Sequence, residues 1–151
     1  MRRPTSRGSV RIKSADPCAH PAIAPNYLAT DQDRKIAVAA LRLTRRIVSG
    51  TRAMQKYEPE EFVPGTRFAS DEELVNAAGN VGTTIFHPVG TCRMGPGNDA
   101  MSVVSPDLRV WGIESLRVID ASVMPVITSG NTNSPTLMIA EKGAAEIVGG
   151  S

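Results

Sequence analysis

The chain has 151 residues, 41% of them apolar, with 17 basic against 15 acidic side chains and a formal net charge of +2. It is long and apolar enough for one domain with its own core, which excludes a disordered chain. The charge is too small to argue for a nucleic-acid or membrane-surface partner. The cluster Arg2, Arg3, Arg7, Arg11 and Lys13 reads as a solvated terminus in preference to a phosphate-binding arm, with residues 1–5 frayed. Cys18 and Cys92 lie far apart and no CxxC is present, which argues against a disulfide framework or a zinc site. No metal ligand set is read. No apolar run approaches the ~20 residues of a membrane span. Met1-Arg2-Arg3-Pro4 leads into no apolar secretory segment, so the expected compartment is the cytoplasm.

In chain order, Gly8 to Ser14 alternates apolar and polar residues and predicts a half-buried strand. Asp16-Pro17 and His20-Pro21 force an extended, turning connection, because a residue before proline avoids the α region. A short strand or loop is expected at Asn26–Leu28. Thr30 to Val48 predicts a helix capped by Thr30 or Asp31, with Ile36, Ala40, Leu43 and Ile47 on its inner face. Arg45 and Arg46 fall in its last turn, where the dipole favours cations, and Gly50 closes it. Tyr57 to Phe68, with two prolines and Gly65, reads as a loop. Ser70-Asp71-Glu72-Glu73 is a capping box that opens a second helix ending near Gly79 or Gly82.

From Thr83 onward the pattern becomes strand and loop. Val103-Val104, Leu108–Val110 and Leu116–Ile119 are short β-prone runs that predict an antiparallel meander. A final helix is expected from Ser134, as N-cap, to about Val148, with Pro135 at its first position. Leu137, Ala140, Ala144 and Ile147 would form its buried face. The fold class is α+β, a mostly antiparallel sheet with helices packed on one face.

Two segments carry chemistry. Phe86-His87-Pro88-Val89-Gly90-Thr91-Cys92-Arg93-Met94-Gly95 offers an imidazole on a loop, able to exchange a proton at neutral pH. A lone histidine in a turn is more often structural, and His20 keeps that reading. Ser129 to Thr136 places Asn131, Asn133 and a capped proline at a helix start, where unpaired amides favour anionic groups. Asp120 ends an apolar run; it either accepts bonds from ligand hydroxyls or starts a turn on its own backbone. Gly95-Pro96-Gly97-Asn98-Asp99-Ala100 imitates a dinucleotide fingerprint. Pro96 lies inside it and no helix follows, so it reads as a turn.

Taken in order, five segments resemble the C-terminal domain of the glucose–methanol–choline (GMC) family of FAD-dependent oxidoreductases, with the choline-dehydrogenase-like branch closest. They are Ser6–Val10; Asp16-Pro17 with Pro25–Leu28; His87–Gly95; Val118–Pro125; and Gly130–Thr136 through Ile139–Lys142. The resemblance implies that residues 6–149 form that domain and that the last helix faces the flavin. It also implies that the nucleotide-binding half, with its glycine-rich βαβ unit, is not in this sequence. It assigns His87 as the base that takes an alcohol's hydroxyl proton while hydride passes to flavin N5. Asn131, 44 residues on, becomes the partner that holds the substrate oxygen, with Asn133 as runner-up. Asp120 and Ala121 are placed near the cofactor's ribityl and phosphate region, and Asn131, Thr132 and Asn133 near its ring. The implied function is oxidation of alcohols to aldehydes or ketones with FAD, inactive until the missing half joins it, with a separately encoded chain as a candidate source. The alternative is a non-enzymatic domain that binds a protein or small ligand through an open apolar face.

Overall fold

The computed structural model describes residues 4–149. Arg2 and Arg3 of the basic cluster lie outside the described residues. The chain divides into two units, one spanning Pro4–Thr83 and the other beginning at Thr84.

In the first unit, β1 (Ser9–Arg11) pairs antiparallel with β2 (Ala22–Ala24), Val10 opposite Ile23. The proline-rich connection turns the chain as expected. Both strands are exposed along their whole length, so β1 is not the half-buried strand that its alternation predicts. Two strands have no second layer to bury a face against, and alternation alone cannot supply one. Asn26 and Leu28 take positive φ values of 53° and 56°, making that stretch a turn.

The helix α1 (Asp31–Gly50) is capped by the Thr30 hydroxyl, which accepts from the Asp33 amide. Its inner face is Val38, Leu41, Arg45 and Val48, whereas Leu43 and Ile47 are 45% and 51% exposed. The expected face is thus rotated. α1 has apolar residues on two stripes, and the partner α3 (Asp71–Val81) selects one of them. The helix also runs two residues further than expected, to a cap at Thr51, so Arg45 lies inside it and not in its last turn. A short helix α2 (Arg52–Gln55) follows.

Arg45 instead organises the Tyr57–Phe68 loop. Its guanidinium grips both oxygens of Glu61 at 2.8 Å and donates to the carbonyls of Phe68 and Gly65. Hydrogen bonding to Arg45 holds the Glu61 carboxyl below its usual range, and the same bond raises Arg45. α3 opens with the predicted capping box, Ser70 accepting from Glu73 N and Glu73 reaching back to Ser70 N, and ends at Gly82. Leu74 and Ala77 are its buried residues.

Thr5, within the stretch expected to fray, is tied to α1 together with Ser6. Thr5 N and Ser6 N donate to the Asp33 carboxylate at 3.0 and 2.7 Å. Partial burial alone would raise the Asp33 carboxyl, but the bonds from Ser6 and Thr5 outweigh it and hold the group far below the ordinary range. A depressed carboxyl contributes stability above its unfolded pKa and loses it as pH falls. Asp33→Asn is therefore expected to cost about 1 kcal/mol at neutral pH, discounted for solvent access. In urea titrations the gap to wild type should narrow as pH drops below about 4; a gap independent of pH would refute the anchor.

The second unit is built on short ladders. Its core is Val104, Leu108, Val123, Met124 and Ile139, with Val89, Met94, Val118 and Ile119 packed against it. The predicted meander is present only as single antiparallel bridges, Val104 with Val110 and Arg109 with Arg117. Leu108 and Ser115 sit at φ values of 65° and 59°, which breaks each run before a regular strand can extend. Even so, the class is the expected one, α+β with antiparallel pairing and helices.

The last helix, α4 (Asn133–Val148), buries Ile139 and Gly143. Leu137 and Ile147 are 59% and 58% exposed, and Ala140 and Ala144 are exposed too, so the expected buried face is the open one. The reason is a close contact. A Cβ on Gly143 would lie 2.5 Å from Ile119 Cγ2, so the helix approaches the core through its glycine. Arg117 ties the same face down by an ion pair with Glu146 at 3.1 Å.

Candidate active site

His87 is positioned by a loop of constrained backbone. Phe86, just before it, has φ 62° with its amide bonded to the Thr84 hydroxyl at 3.0 Å. Pro88 holds His87 itself out of the α region. Gly90 has φ 86°, and a Cβ there would stand 3.3 Å from the Met124 carbonyl. Only glycine takes that conformation without strain. Beyond the loop, Cys92 N and Met94 N donate to the carbonyls of Ser122 and Val123 at 3.1 and 2.8 Å. Those bonds lay the histidine segment alongside the one that carries Asp120.

Asp120 caps a short 3-10 turn, Ala121–Val123, its carboxylate accepting from Ser122 N at 2.8 Å and from the Ser122 hydroxyl. Of the two readings, the turn-starting one is what the structure shows, and it occupies one carboxylate oxygen. The Gly95–Ala100 segment is the turn expected. Asp99 N donates to Pro96 O at 3.0 Å, and Arg93 pairs with the Asp99 carboxylate across it. The Met101 amide above all, with Arg93, holds the Asp99 carboxyl below its usual range.

The Asn131–Asn133 segment forms one tight turn. The Asn131 carboxamide oxygen accepts from Asn133 N at 2.9 Å. Both asparagines are exposed, and Thr132 between them is only 8% exposed. Thr132, not Ser134, stands at the N-cap position of α4, and its side chain makes no capping bond. Its hydroxyl lies 3.0 Å from His87 Nδ1 instead. His87 and Thr132 are thereby brought into direct contact, with Asn131 and Asn133 on either side of Thr132. Asp120 and Ala121 begin the separate turn that holds residues 92–94. The Thr132–His87 contact leaves no signal in the sequence, since the two residues are 45 apart.

The donor set suits a flavin. Exposed carboxamides and the positive end of a 16-residue helix, whose Asn133 amide is taken by Asn131, offer hydrogen bonds and partial positive charge to an electron-accepting ring. No residue of the described units forms a βαβ unit that would cradle a dinucleotide. An open groove of about 750 Å³ lies in the first unit, lined by Tyr27, Arg34, Lys35, Asp71, Glu72 and Asn76, and contains none of the predicted site residues. Among the described residues no three His, Cys, Asp or Glu side chains gather as a metal site. No described helix is long and apolar enough to cross a membrane.

Comparison with known proteins agrees with the resemblance. The family model described as GMC oxidoreductase matches residues 4–140. The chain is 50% identical over 149 residues to an oxygen-dependent choline dehydrogenase of Klebsiella pneumoniae, covering 99% of this chain and 26% of that protein. It is 48% identical over 145 residues to an alcohol dehydrogenase [acceptor] of Pseudomonas putida, covering 96% of this chain and 26% of the relative. It superposes on an FAD-dependent oxidoreductase of Chaetomium thermophilum with TM-score 0.86 at 30% identity, covering 96% of this chain and 25% of that one. The chain thus spans about a quarter of the length of the relatives it matches. A family match over nearly the whole chain, and a fold shared at that score, show that this chain belongs to the GMC oxidoreductase family.

Proposed function

We propose that this chain forms the substrate-side part of an FAD-dependent oxidoreductase that converts alcohols to aldehydes or ketones. The observation that carries the reading is the half-buried His87, bonded through Nδ1 to Thr132 at the start of α4. With Nδ1 engaged, Nε2 is the ring nitrogen left to take the hydroxyl proton of an alcohol. The Asn131 carboxamide, its oxygen on Asn133 N, keeps its NH₂ to donate to the substrate oxygen as negative charge develops there. Asn133 and the first turn of α4 would hold the flavin ring, and Asp120 with Ala121 the ribityl and phosphate region. FAD, when bound, supplies the two-electron acceptor for the hydride leaving the substrate carbon. Binding it takes a nucleotide-binding part joined to these residues or encoded as a separate chain, and without that part the proposal is no turnover. Choline and other small alcohols are the first substrates to try, given the relatives.

Co-expression with the N-terminal part of a GMC relative tests the reading. The expected result is a yellow complex that reduces an artificial electron acceptor when alcohol is added. Flavin uptake with no reduction across a broad alcohol panel would sink it. A second reading, a binding domain without catalysis, draws on the exposed apolar residues Leu137, Met138 and Ile147 of α4. A strictly monomeric chain that binds no hydrophobic dye would remove that alternative.

A further inference from the structure

The threonine at the start of α4 is in the N-cap position yet does not cap. An N-cap hydroxyl normally accepts from the amide of the second or third helical residue. Here the helix begins at Asn133; the third residue, Pro135, has no amide hydrogen, and the amide of the second, Ser134, does not donate to Thr132. Thr132 itself has φ −84° and ψ −7°, a helical conformation outside the extended region a cap adopts. Its backbone is pinned, because its carbonyl accepts from both Thr136 N at 3.0 Å and the Thr136 hydroxyl at 2.7 Å. With the side chain buried and the backbone fixed, the hydroxyl has little freedom to leave His87.

We infer that Thr132 is a positioning residue that fixes the tautomer of His87, its oxygen accepting from Nδ1–H so that Nε2 faces the site without a proton. The role rests on the reading of His87 as base. A threonine hydroxyl can either donate or accept, so the direction of this bond is set by what both protonation states allow. If the hydroxyl donated to Nδ1, the neutral ring would carry its proton on Nε2 and would be useless as a base there. Proton uptake would then set two donors against each other at Nδ1. If Nδ1–H donates to the hydroxyl, the same bond serves the neutral ring and the imidazolium. The alcohol's proton moves to Nε2, Nδ1 keeps its own, and the ring gains one positive charge without turning. Pro135 contributes by removing one of the two amides that could compete for the hydroxyl, and the other, that of Ser134, makes no bond to it. This accounts for a helix that opens Thr-Asn-Ser-Pro with its Thr132 hydroxyl spent on an imidazole 45 residues away.

The test is ¹⁵N NMR of the imidazole rings in the full chain at about pH 8, where an ordinary imidazole is neutral. His20→Gln in the background removes the other ring's signals. In the parent, Nδ1 of His87 is expected to carry the proton. Thr132→Val, close in shape but without the hydroxyl, should shift the Nδ1–H to Nε2–H ratio toward Nε2–H by roughly three- to tenfold, the equivalent of one hydrogen bond. Thr132→Ser should restore the parent ratio. A parent ring protonated on Nε2, or a ratio that Thr132→Val leaves unchanged, overturns the inference. If Thr132→Val fails to fold, the parent spectrum still decides. If the ratio shifts but His87→Gln leaves alcohol-driven reduction intact in the complemented enzyme, the base reading falls and the hold of Thr132 on the ring stands.

Discussion

Replacing His87 with glutamine is expected to lower kcat/KM for alcohol in the complemented enzyme by about 10²–10⁴-fold, the usual worth of a positioned general base. Glutamine keeps much of the side chain's length and its polarity, so the loop between Phe86 and Gly90 has no reason to rearrange. Cofactor binding, read from visible absorbance, should survive, because the proposed contacts to the flavin come from other residues. The residual rate has its own signature. Without a base the reactive species is the alkoxide already present in solution, whose fraction rises tenfold per pH unit below the alcohol's pKa. The residual kcat/KM should therefore climb steeply with pH where the parent levels off. A glutamine variant within a few-fold of the parent across the pH range would remove His87 from the chemistry.

Leu108→Ala should be the most damaging single change to the second unit, costing about 2–5 kcal/mol in urea unfolding. Leu108 is 2% exposed in a core of only five buried residues, so few neighbours can close the cavity. It also links two ladders, its amide donating to Ser105 O at 2.9 Å and its carbonyl accepting from Val118 N at 3.1 Å. Its φ of 65° adds a distinguishing test. Alanine keeps the cost of a Cβ in the left-handed region, about 1–2 kcal/mol, whereas glycine relieves it. The two variants should thus differ by less than about 1 kcal/mol, although glycine removes more side chain. A loss below 1 kcal/mol for alanine would mean that the core does not depend on this residue.

Local chemistry was legible in the sequence, and tertiary choice was not. The Ser70–Glu73 capping box, the Thr30 cap and the turn at Gly95–Ala100 follow from residue types a few positions apart, and the structure has all three. The buried faces of α1 and α4 differ from the expected ones for a shared reason. Both helices carry apolar residues on more than one stripe, and only the neighbour decides which stripe is covered. The start of α4 was misplaced by two residues because Ser-Pro is a good helix opening, whereas a threonine diverted to another side chain leaves no mark in the sequence. His87 and the asparagines were found through the order of the family's segments. Composition alone would have left His87 a structural histidine.

The contact between Gly143 and Ile119 places two positions 24 residues apart in sequence in a single shared volume. Position 143 cannot grow unless 119 shrinks or shifts. An alanine at 143 would gain helix propensity of about 1 kcal/mol, yet it needs a smaller residue at 119 to make room. Among functional sequences drawn from a library randomised at both positions, large residues at one should pair with small ones at the other. The tilt of α4, and with it the placement of the threonine that holds His87, is inherited through that pair.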